Sequence, residues 1–198
     1  AEWRFVPDTD SILMLTFDSR LLLAAADGAD AAPLGSALAI DGIARGSSLA
    51  VVERLEGRAV IDLTDGSEGP LVDADPPRGL ASDVVPLPGA DAGSLRTYSE
   101  FSDTSVLLAT DVVRVGADGA TEVVLQVGAA DAALQTCISP SGRYAAVLVA
   151  PDAVSNPYDR YLLPLPERLE TRIIEIDSGR EMSSLTGSTL SWCQVPPA

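Results

Sequence analysis

One five-residue phrase recurs along this 198-residue chain and limits what it can fold into. Trp3-Arg4-Phe5-Val6-Pro7 and Trp192-Cys193-Gln194-Val195-Pro196 stand near the two ends. Ile40-Asp41-Gly42-Ile43-Ala44, Tyr98-Ser99-Glu100-Phe101-Ser102 and Thr136-Cys137-Ile138-Ser139-Pro140 fill the same slot between them. The first residues, at 3, 40, 98, 136 and 192, give steps of 37, 58, 38 and 56 residues, alternately short and long. A period of about 40 to 50 residues belongs to arrays whose single repeat cannot bury its apolar face alone and must stack on its neighbours.

Each slot is followed by a turn and a short apolar run. Ser11-Ile12-Leu13-Met14-Leu15, Ser48-Leu49-Ala50-Val51-Val52, Ser105-Val106-Leu107-Leu108-Ala109 and Tyr144-Ala145-Ala146-Val147-Leu148-Val149 are too short, and too closely fenced by turn residues, to be helices. Third elements then run into tight turns. Ala59–Thr64 meets Asp65-Gly66, Val112–Val115 is followed by Asp118-Gly119, Thr171–Ile176 meets Asp177-Ser178-Gly179, and Leu21–Ala26 meets Asp27-Gly28. Alternating apolar and polar residues beside Asp-Gly are a strong hairpin signal. Thr121–Val127 reads as a fourth, outer strand, and Arg180–Leu185 as another. The pattern predicts an all-β chain: a β-propeller or partial propeller of about four four-stranded antiparallel blades, at 1–36, 37–95, 96–134 and 135–198, within a single domain. Five slots against four strand sets leave a choice. Either the slot at Trp192 replaces that at Trp3, or the ring is completed by a missing half or by a second copy in a homodimer.

The long steps carry Pro-, Gly- and Asp-rich stretches, Ser67–Leu95 and Pro151–Glu170. Proline cannot donate to a sheet ladder, so both read as loops, and long loops are disproportionately functional. Arg78, Asp83 and Pro88 in the first, with Asn156, Tyr158, Arg160, Tyr161 and Arg168 in the second, are therefore the candidate interaction residues for a protein partner.

The chemistry available is narrow. The formal charge is −16 and the chain has no histidine. All 13 basic residues are arginine. Such acidity repels phosphate, which argues against nucleic acid as a partner, and no run of 18 apolar residues points to membrane insertion. Without histidine the usual general base and zinc ligand are missing, and without lysine the Schiff-base nucleophile is too. Asp8 with Asp10, Asp27 with Asp30 and Asp73 with Asp75 have oxygens to offer Ca²⁺, yet none forms a complete calcium loop, and turn formation accounts for them. The expectation is no cofactor, with Ca²⁺ as the one ion to consider, and no catalytic residue. Cys137 and Cys193 occupy the same slot of two repeats, as a disulfide or as two buried thiols. Trp3 and Trp192, both slot residues, read as packing between blades.

Cys137-Ile138-Ser139-Pro140-Ser141-Gly142-Arg143-Tyr144, then Arg172–Gly179, then Leu190-Ser191-Trp192 resemble a blade of the TolB-like, WD40-like β-propellers. Those carry a Ser-Pro-Asp-Gly-Arg turn before an apolar strand and a Ser-Trp leading to the next blade. Here Ser141 replaces the aspartate, and Pro7-Asp8 and Ser102-Asp103 keep parts of the motif. The resemblance implies an extracytoplasmic, secreted or lipoprotein-type bacterial module that binds proteins and carries no catalytic residue. The competing expectation is the propeller domain of a hydrolase, gating substrate access or carrying carboxylate-based activity of its own.

Overall fold

The computed structural model describes residues 1–27, 30–75, 79–89, 93–139, 141–153 and 168–187. Among them the regular elements are sixteen strands in four antiparallel sheets of four. Sheet A is β1 (Glu2–Val6), β2 (Ser11–Leu15), β3 (Arg20–Ala25) and β4 (Ala32–Ser36). Sheet B is β5 (Ala39–Ile43), β6 (Leu49–Arg54), β7 (Gly57–Asp62) and β8 (Glu68–Pro70). Sheet C is β9 (Leu80–Pro86), β10 (Ser94–Phe101), β11 (Leu107–Val115) and β12 (Thr121–Gln126). Sheet D is β13 (Ala132–Ile138), β14 (Tyr144–Ala150), β15 (Glu170–Glu175) and β16 (Arg180–Thr186). In each sheet the strands lie side by side in chain order, and the four sheets are arranged as a four-blade β-propeller.

Strand alternation decides which side chains meet. In β2, Leu13 and Leu15 enter a core shared by sheets A and B with Val6, Leu21, Ile40, Val52 and Ile61. Sheets C and D share a second core in which Leu95, Val112 and Val124 meet Ile138, Val147 and Ile174. Between B and C the packing is thinner: Tyr98, Val113 and Val115 gather Ala74 and Ala81 around them. Here backbones approach instead. A Cβ added at buried Gly42 of β5 would lie 2.9 Å from the Val84 carbonyl of β9, so glycine is what lets these two strands close up. The expected turns at Asp65-Gly66 and Asp118-Gly119 are present, while Gly28 of a third lies outside the described residues. Asp65 Oδ1 accepts from Ser67 N at 2.8 Å, and Asp118 Oδ1 from Ala120 N at 3.0 Å. Both following glycines, Gly66 and Gly119, hold the left-handed φ that such turns need.

Sheet C corrects the sequence reading. The slot at Tyr98 lies in β10, a second strand, and the first strand is β9, inside the stretch expected to be a loop. The runs at 105–109 and 112–115, read as two strands, fall for the most part in one long strand, β11. The third blade thus begins at Leu80, not at 96. First strands start at Glu2, Ala39, Leu80 and Ala132, and the short–long alternation disappears. Pro86 explains the error: it ends β9, where its missing N–H costs nothing, while Leu80–Val85 ahead of it is an ordinary strand sequence. The outer strands β4 and β8, left unassigned in the sequence, complete sheets A and B.

Consecutive sheets pack A on B, B on C and C on D, and no comparable contact joins the described strands of D to those of A. The two end faces differ. The outer face of sheet A carries Trp3, Phe5, Ile12, Met14, Leu22 and Ala24, which the ladder places opposite one another across β1, β2 and β3. Trp3 is 60% exposed and meets Phe5 edge-on, ring centroids 5.4 Å apart. It therefore does not pack between described blades as expected, and Trp192 lies outside the described residues. On the far face of sheet D, Cys137, Ala146 and Thr171 are all buried.

Candidate functional site

The first strands converge: β1 contacts β5, β5 contacts β9, and β9 contacts β13. Polar contacts on and beside these strands bridge each sheet boundary in turn. Glu2 Oε1 accepts from Arg4 Nε at 2.9 Å and from a terminal guanidinium nitrogen at 2.8 Å, while Glu2 Oε2 reaches Ile40 N at 3.5 Å. Arg4 also donates to the Asp41 carbonyl at 3.1 Å. The Asp41 carboxylate is held by Arg58 Nε at 2.7 Å, and Arg58 reaches on to the Ala81 carbonyl of β9 at 3.5 Å. Asp83 of β9 then accepts the Thr136 N–H of β13 at 3.0 Å, and Thr136 Oγ1 lies 3.1 Å from Thr97 Oγ1. A fourth acid, outside the wall, also bridges two sheets, for Asp8 accepts Gly46 N at 3.3 Å between A and B.

Asp83 differs from its neighbours on this wall. Burial pushes its carboxyl above the ordinary aspartate value of 3.8, and the nearby Asp41 charge pushes the same way. The Thr136 N–H and the Arg4 charge pull against them. Asp41, by contrast, is directly paired with a guanidinium. The wall thus holds three carboxylates and two arginines: Glu2–Arg4 and Asp41–Arg58 pair within their own sheets, and the contacts that cross from sheet to sheet are to backbone groups. Among the described residues no group of three or more metal-ligating side chains has the arrangement to hold a metal ion.

The candidate interaction residues scatter. Asp83 stands on the inner wall, in a strand and not in a loop. Pro88 follows β9 and presses on the turn before β14, where a Cβ added at Gly142 would lie 2.4 Å from Pro88 Cγ. Arg168 is exposed just ahead of β15. Arg78, Asn156, Tyr158, Arg160 and Tyr161 lie outside the described residues. Cys137 is buried and disulfide-bonded, and Cys193, the only other cysteine of the chain, lies outside the described residues. Sequence reasoning passed over Glu2, Arg4, Asp41, Arg58 and Thr136. A signal was there, since Arg4 and Asp41 both hold the second place of the repeated slot, a charged residue where a strand is otherwise apolar.

No protein-family model and no curated protein matches the sequence. Solved structures do. A protein described as a TolB from Agrobacterium tumefaciens aligns with 89% of this chain and 61% of its own, at 16% identity and a TM-score of 0.54. An oligogalacturonate lyase solved in complex with manganese aligns with 92% of this chain and 52% of its own, at 12% identity and a TM-score of 0.56. The β-propeller domain of a Myceliophteria thermophila protein aligns with 94% and 56%, at 12% identity and a TM-score of 0.54. What is shared is the propeller fold, TolB-like and WD40-like proteins included. The chain spans between about half and three fifths of these chains' lengths.

Proposed function

We propose that this chain is a non-catalytic, extracytoplasmic propeller module that binds or scaffolds another protein. The supporting observation is the inner wall. Its charged groups are already engaged, with one another and with backbone groups of the next sheet, which leaves recognition to the connections between strands. The absence of histidine and lysine from the sequence points the same way. An oxidising compartment is supported by the disulfide at Cys137, since such bonds persist outside the reducing cytosol. Likeness to a TolB protein is consistent with that setting.

The competing reading, the propeller domain of a hydrolase with a gating role or carboxylate chemistry, has Asp83 as its strongest support. One experiment separates the two. The 198-residue chain is incubated with generic peptide and glycoside substrates, and with oligogalacturonate plus Mn²⁺, over pH 4 to 8. No turnover above the no-protein control is expected. Turnover abolished by Asp83→Asn overturns the scaffold reading.

A further inference from the structure

We infer that a cavity between sheets B and C is a binding site for a short aliphatic carboxylate, and that Arg96 holds its charged end. This goes beyond the proposed scaffolding role and does not depend on it.

Sheets A and B share one core and sheets C and D another, but the boundary between B and C leaves a cavity of about 90 Å³. Leu49, Val60, Leu71 and Pro86 give it apolar walls. Ser94 and Arg96 of β10 line it too, on the sheet face they share with Val115 and Val113 of β11. Arg96 is only 6% exposed, so a permanent positive charge stands in a largely apolar setting.

A guanidinium buried this deeply ordinarily has a carboxylate beside it, because an unpaired charge is costly to take out of water. Among the described residues the bonds of Arg96 go to neutral groups instead. Nε donates to Ser94 Oγ at 2.9 Å and Nη2 to the Val72 carbonyl at 2.6 Å. Asp73, next to Val72, is exposed to solvent. Asp111, on the same face of β11, stands opposite Tyr98, one pair further along, and is itself engaged. Two of the five N–H donors of the guanidinium are therefore spent. Nη1, which has no protein acceptor among the described residues and is not sealed from solvent, opens on the cavity.

A carboxylate fits what is left over. Its two oxygens take parallel N–H bonds from a guanidinium edge, and it brings the charge that Arg96 lacks. Behind it, an aliphatic stem suits walls of leucine, valine and proline. Phosphate or sulfate would leave oxygens against Leu49 and Val60 without a donor. Size narrows the class further. A cavity of roughly 150 Å³ takes one benzene ring, so about 90 Å³ takes roughly four non-hydrogen atoms, and Val72, 39% exposed, marks a side open to solvent. Acetate and propionate are of this size. The formal charge of −16 opposes every anion, so the affinity is modest, with a Kd on the order of 1 mM.

Nuclear magnetic resonance of the ¹⁵N-labelled chain tests this, with sodium propionate added to about 50 mM at pH 7 and constant ionic strength. Saturable shifts are expected at the Arg96 Nε–H and the Ser94 amide. Propionamide, of the same shape without the charge, and inorganic phosphate should each bind at least tenfold more weakly. Arg96→Met, which keeps the length of the side chain and removes its charge, should abolish the response at Ser94. Should that variant not fold, Leu71→Phe serves instead, since it narrows the cavity and leaves Arg96 in place; propionate binding should be lost while the Arg96 Nε–H signal remains. The absence of any saturable shift overturns the inference, as does propionate binding unchanged in Arg96→Met or in Leu71→Phe. Propionamide or phosphate bound as tightly as propionate overturns it equally.

Discussion

At the residue scale, aspartate is the joint of this molecule. Asp83 accepts the Thr136 N–H across the C–D boundary and Asp8 accepts Gly46 N across the A–B boundary, so carboxylates that read as acidic surface serve as cross-sheet acceptors. Asp83→Ala leaves the Thr136 N–H without that partner and should cost about 1–3 kcal/mol in urea unfolding at pH 7. Asp83→Asn keeps an acceptor and removes a charge that burial disfavours, so its stability at pH 7 should equal or exceed wild type. The sign of the pH effect follows from the raised pKa. Asp83 contributes stability fully below 3.8, and that contribution is lost as pH rises through its folded value. The advantage of Asp83→Asn should therefore shrink toward pH 3. Glu175 runs the opposite way: Arg143 and Ser178 bind its carboxylate and hold it below 4.5, so its contribution is present above that value and lost as pH falls. Its partners Arg143 and Arg180 stand in solvent, at 60% and 63% side-chain exposure, so the pairing weighs little.

At the element scale, the boundary between sheets B and C is the most exacting. Gly42→Ala puts a methyl against the Val84 carbonyl and the Pro86 ring, and β5 or β9 must move; a loss of about 1–3 kcal/mol in thermal or urea unfolding is expected. A full-length ordered β9 that merely tolerates the methyl would show instead that this approach is loose. The same boundary is where the sequence was hardest to read. The Asp-Gly turns and the alternation of β2, β6, β14 and β15 were legible, because turn chemistry and period-two burial act locally. β9 was not, since Pro76, Pro77 and Pro86 on either side of it signal loop and only the neighbouring sheet makes Leu80–Val85 a strand. The inner wall was illegible for a related reason. A charged residue in a slot has no identity as an inter-sheet acceptor until the next sheet supplies its donor.

At the scale of the whole molecule, the described sheets are held in series. Cys137→Ser removes the disulfide at β13 and should lower stability by about 2–5 kcal/mol in oxidising buffer, with the gap to wild type closing once reductant is present. Among the described residues, sheets B and C each have a neighbour on both sides, whereas sheet A has one, and no strand contact of similar extent links D back to A. Such a chain of nearest-neighbour contacts opens from its ends, as repeat arrays do. In dilute solution, amide exchange in β1, β2 and β3 should outrun that in β6, β7, β10 and β11, and uniform protection across all four sheets would contradict serial coupling. The consequence of that series among the described sheets is a direction of wear: partial unfolding at sheet A can be tolerated and repaired while the centre stays folded, as with the loose end of a rope whose middle is still wound.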